Sequence, residues 1–275
     1  MMRLIYKTIL ILSTFFICCC KQDKGEQNAS TIKTDSNKSR HTDAWKEKMK
    51  LKKAKQIPKT PEEAYDALIE NYNELQVLLN TPKEFNSSFI TEIGNFFGVD
   101  YELFVKNNFY PSVGFDITTI NNLKKMITTF NPTKKPDIPG LDVASIHQLS
   151  LFTKELIRPI DNAFKENNQI NILKNSNDVK TLNELINMLD NLYEKWDTIV
   201  SLIQTTINEA AKLNKKDDVT KKFKLLNDLH LGNFNQICNE NGVNNEVCEL
   251  KNEMGKLSKN IKNKIESLIE SLVDN

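Results

Sequence analysis

The residues of this 275-residue chain with the most distinct chemistry are its five cysteines, three of which stand together as Cys18-Cys19-Cys20. Ahead of them lie a short basic stretch with Arg3 and Lys7 and an apolar run from Thr8 through Ile17. A basic start, an apolar run of roughly 10–12 residues and small residues at its end make a secretory signal. Lipoprotein processing wants an aliphatic residue three positions before the modified cysteine and a small residue just before it. Cys20 meets both demands with Ile17 and Cys19, whereas Cys19 and Cys18 have Phe16 and Phe15 at the aliphatic position. Cys20 is the expected lipidation site, and Cys19 is the alternative. A transmembrane helix needs about 20 apolar residues, and Lys21 ends this run too early. More than one acyl chain gives stable attachment, so the expectation is a chain anchored to a membrane and not spanning it. The competing reading is a hydrophobic leader that merely contains cysteines.

The other two cysteines, Cys238 and Cys248, flank the turn-like segment Asn239 to Val247. In an exported chain such a pair reads as a disulfide. Closing so short a loop stabilises by about 2–3 kcal/mol. The alternative is two free buried thiols, and no nearby histidine points to a metal. The only histidines are His41, His147 and His230, and none sits in a ligand spacing such as His-Glu-x-x-His. A nucleophile elbow and a phosphate-binding glycine loop are also missing from the sequence. Acidic pairs such as Asp217-Asp218 suit a helix N-terminus better than acid–base catalysis. The expectation is a protein that is not an enzyme and uses no cofactor or metal.

Charge is divided unevenly along the chain. Residues 21–59 hold 12 basic and 5 acidic side chains, a net of +7, and residues 60–275 hold 23 and 31, a net of −8. The first of these segments is polar and poor in apolar residues, and should be disordered. Its second half, from Ala44 to Lys59, carries seven lysines against one glutamate. The plain reading is a solvated spacer. The sharper one is a polyanion-binding arm for glycosaminoglycan or nucleic acid, using Lys46, Lys48, Lys50, Lys52, Lys53 and Lys55. A second basic patch falls at Lys215, Lys216, Lys221, Lys222 and Lys224. The acidic balance of the remainder argues against a broad nucleic-acid surface.

The elements that must position these groups read as helices throughout. Glycine and proline number only 8 each, which argues against many short strands. Thr60-Pro61-Glu62-Glu63 spells a capping box for a helix to about residue 80, with Ala64, Leu68, Tyr72, Leu75 and Leu79 as its apolar face. Aromatic residues crowd 83–115, read as two short helices at 84–97 and 100–107, broken at Gly98 and at Pro111-Ser112. Those aromatics suit a core cluster at one end of a bundle, or alternatively an exposed binding patch. A helix at 116–129 starts at Asp116, residues 132–140 form a loop, and Asp142 caps a helix over 142–166 that Pro159 kinks or divides. Between residues 178 and 213 there is no Gly or Pro. Leu182, Leu185, Leu189, Leu192, Trp196, Ile199, Ile203, Ile207 and Ala210 advance there by three or four. Ile186, Tyr193 and Val200 widen that stripe, which suits packing against several neighbours within one chain. Two further helices, 217–238 and 245–272, complete the pattern. The last carries Val247, Leu250, Met254, Leu257, Ile261, Ile265, Leu268 and Leu272 as its stripe. The expected architecture is all-α: residues 1–19 a signal peptide, 20–59 the lipidated cysteine and tether, and 60–275 an antiparallel helical bundle of about six to eight helices, monomeric.

The leader ending in clustered cysteines, the Lys/Asn/Ser tether and the Asn/Lys/Ile-rich helical body together resemble the surface lipoproteins of Lyme-disease spirochaetes (Borrelia). The resemblance covers the whole chain in architecture and composition and rests on no invariant motif, so no binding residue is carried over from it. It implies anchoring in the outer membrane, exposure at the cell surface and contact with host or tick macromolecules. The functional expectation is binding of such a macromolecule through the helical domain. Binding of a polyanion, DNA or glycosaminoglycan, through the lysines is the alternative.

Overall fold

The computed structural model describes residues 57–82, 85, 99–130, 143–227 and 245–273. Among them the chain is all-α, without a strand. The α-helices are α1 (Pro61–Leu79), α2 (Val99–Ser112), α3 (Ile117–Phe130), α4 (Val143–Leu156), α5 (Arg158–Lys165), α6 (Gln169–Ile172), α7 (Val179–Ala210), α8 (Lys216–Asn227) and α9 (Asn245–Val273). Single 3-10 turns, Glu166–Asn168 and Leu173–Asn175, flank α6.

The middle of the bundle is α7, and its sequence explains why. Every residue of its apolar stripe is buried, together with Tyr193, Val200, Gln204 and Thr206. Burial on that many sides needs several partners, and α1, α3, α8 and α9 all pack on it. Asp178 caps the start, accepting from the Thr181 backbone N–H at 2.9 Å. At 32 residues the helix spans about 48 Å.

Ion pairs set the direction of α9. Glu184 meets Lys264 and Lys195 meets Glu253, so residue numbers rise on one helix as they fall on the other. The two helices are antiparallel. By contrast α1 runs in the same sense as α7: the Asn183 side chain donates to the Pro58 carbonyl at 2.9 Å, while Asn71 meets Ile186 and Tyr193 further along. The capping box of α1 forms as its sequence predicts. The Thr60 hydroxyl accepts from the Glu63 N–H, and the Glu63 carboxylate accepts from the Lys59 and Thr60 N–H groups.

Pro159 divides the helix expected over 142–166 into α4 and α5, sitting in the first turn of the latter, where its missing N–H is harmless. Pro111 departs from expectation. The helix read as ending near 107 runs through it to Ser112. Proline orphans the carbonyl four residues earlier, here that of Asn107, and the Arg158 guanidinium donates to that oxygen at 2.7 Å. A cation from α5 thus takes the place of the lost helical donor. The turn that follows holds Gly114 and Phe115 at positive φ, 60° and 54°.

The inner line of α9 is also rotated from the expected stripe. Met254, Ile261, Ile265 and Leu268 are buried as read. Leu250 and Leu257 are only half-buried, while Lys251, Gly255 and Ser258 face inward. The aromatic cluster forms core where it is described. Phe85 meets the rings of Tyr110 and Phe115 at 4.9 and 5.3 Å, edge-on, and Phe109, Tyr110 and Phe115 are buried. The expected helix at 84–97 and the loop at 132–140 lie outside the described residues, apart from Phe85.

Candidate functional site

Cys20, the lysines from Lys46 to Lys55, and Cys238 lie outside the described residues. Cys248 lies on the first turn of α9, is buried, and is disulfide-bonded. Its partner is outside the described residues, and pairing with Cys238 remains the reading that the sequence supports. His147 falls on α4, and His41 and His230 lie outside the described residues.

The basic patch at 215–224 takes shape from the way α8 is seated. Val219, Phe223 and Leu226 are buried, and α8 packs on α7 and α4. The intervening positions are thereby turned outward. Lys215 and Lys221 are exposed, and Lys216, the first residue of α8, is half-buried. Lys222 is half-buried as well and is committed to an ion pair with Glu209 of α7 at 2.5 Å. That hydrogen bond, with the charge of Lys222 behind it, lowers the Glu209 carboxyl below its ordinary value. Lys224 belongs to the same helix. Asp217 and Asp218 occupy the first turn, as their sequence position suggested. There they complement the helix dipole, and they also offset the lysines around them. Lys212, Lys215 and Lys221 are thus exposed where α7 turns into α8, with Lys216 half-buried among them, but this corner is mixed in charge.

The best-defined polar cluster escaped the sequence reading. Asp161 of α5 is 2% exposed and accepts hydrogen bonds from Gln76, from Lys165 at 2.9 Å and from the Tyr72 hydroxyl at 3.4 Å. The Arg158 guanidinium stands 3.9 Å away. Burial, with the Asp161 carboxylate adding to it, pushes the Tyr72 phenol up to about 12. Burial lowers Arg158, which Asp161 counteracts. These partners join α5 to α1 and surround the carboxylate. A buried carboxylate needs such compensation. The sequence signal was an Arg158–Asp161–Lys165 spacing of three and four residues, visible only once α5 was known to begin at Arg158.

A second buried contact pins α1 to α7. The Tyr193 hydroxyl donates to the Asn71 carbonyl, and the Asn71 side chain donates to the Ile186 carbonyl at 3.3 Å. Burial, with nearby Glu74 and Asp190, raises the Tyr193 phenol well above its ordinary value. Neither cluster resembles a nucleophile–base pair; both are interhelical ties. Among the described residues no group of three or more His, Cys, Asp or Glu is placed to hold a metal ion, and no helix is long and apolar enough to cross a membrane. No family model, curated protein or solved structure matches this chain.

Proposed function

We propose that the chain is a lipoprotein anchored through Cys20 in an outer membrane and exposed at the cell surface. Its helical domain binds a host or tick-vector macromolecule without catalysing a reaction, as the resemblance to spirochaete surface lipoproteins implies. The observation that carries this reading is the leader itself: a basic start, an apolar run from Thr8 to Ile17, and Cys20 behind Ile17 and Cys19. A disulfide at Cys248 is in keeping with export. Such bonds persist in oxidising compartments. The buried polar groups Asp161, Tyr193 and Asn71 are committed to joining helices, so contact with a partner falls to the exposed helix faces.

Metabolic labelling with an alkyne-bearing fatty acid tests the anchor. Label should enter the protein and vanish in Cys20→Ala. Label that survives in Cys20→Ala and vanishes in Cys19→Ala would move the site by one residue. A protein that never takes label would remove the anchor altogether.

Polyanion binding is the second reading, and the corner lysines Lys212, Lys215 and Lys221 are what favours it. It requires affinity that falls steeply with salt and disappears when the lysines of 46–55 and 215–224 are replaced by glutamine. Binding indifferent to both changes leaves the protein-partner reading standing.

A further inference from the structure

We draw no further inference here: the strongest candidate, the lysine corner of exposed Lys212, Lys215 and Lys221 where α7 turns into α8, is offset by Asp217 and Asp218 in the first turn of α8, and nothing in the structure shows what anionic partner would cover it.

Discussion

Replacing Gly114 by alanine should destabilise the bundle far more than a turn substitution usually does. Gly114 has φ +60°, and a Cβ added there would stand 3.0 Å from both Gln204 Nε2 and Val200 Cγ1. The left-handed backbone alone costs an alanine roughly 1–2 kcal/mol. The contact with Gln204 adds to this, since that side chain is not free to swing away: it donates to the Val113 carbonyl at 3.0 Å. Moving it forfeits a hydrogen bond of about 1 kcal/mol net, the Val113 carbonyl keeping only the Asp116 N–H at 3.2 Å, and the close contact with Val200 adds further strain. Gly114→Ala should therefore cost about 2–4 kcal/mol. In urea unfolding that appears as a midpoint lowered by roughly 1 M or more at unchanged slope. The same substitution in a Gln204→Ala background should cost at least about 1 kcal/mol less, because one of the two close contacts is gone. A loss under about 0.5 kcal/mol, or strict additivity with Gln204→Ala, would refute the close approach of this turn to α7.

Four other outcomes follow from named contacts. Arg158→Ala should destabilise by about 2 kcal/mol in chemical unfolding, since the Asn107 carbonyl loses a charged hydrogen-bond donor and Asp161 loses an ion-pair partner. Pro111→Ala should then soften that loss by restoring a helical N–H for the same carbonyl. The Glu63 and Asp178 carboxyls are both held below their ordinary values, Glu63 by the Lys59 and Thr60 N–H groups and Asp178 by the Thr181 hydroxyl and N–H. Their contribution is complete above the unfolded values, 4.5 and 3.8, and is lost as pH falls through the lowered folded ones. Thermal scans from pH 6 to pH 3 should show the decline, and Glu63→Gln with Asp178→Asn should flatten it. Asn167 is exposed and left-handed at φ 49°, so Asn167→Ala should cost about 1 kcal/mol while Asn167→Gly is close to neutral, read by the same urea titration. Non-reducing peptide mapping should recover Cys238 linked to Cys248, and Cys248→Ser should lower stability by about 2–3 kcal/mol.

What the sequence disclosed depended on how local the cause was. The long α7 was legible because Leu182 to Ala210 repeats one spacing over many turns, and each of those positions is buried. The capping box at Thr60 and the division at Pro159 were legible for the same reason, each being decided by adjacent residues. Pro111 was not, because the group that makes a proline tolerable there, Arg158, lies 51 residues from the Asn107 carbonyl it serves. Nor was the 3-10 stretch around α6, where Asn167 and Asn168 turn the chain at positive φ. Asparagine is so common in this sequence that two of them carry little turn signal. Lys251 and Asp161 carry no local signal of burial, and both are buried. The rotated inner line of α9 follows from that, since Lys251, Gly255 and Ser258 occupy places that an apolar pattern assigns to Leu250 and Leu257. For the site, the lysines at 215–224 were visible as a run, but Glu209, which neutralises Lys222, sits on another helix.

Protease digestion of intact cells, followed by immunoblotting for the helical domain, tests surface exposure most directly. The domain should disappear while a periplasmic control stays whole. Full protection of the domain in intact cells, with ready digestion once they are lysed, would contradict it.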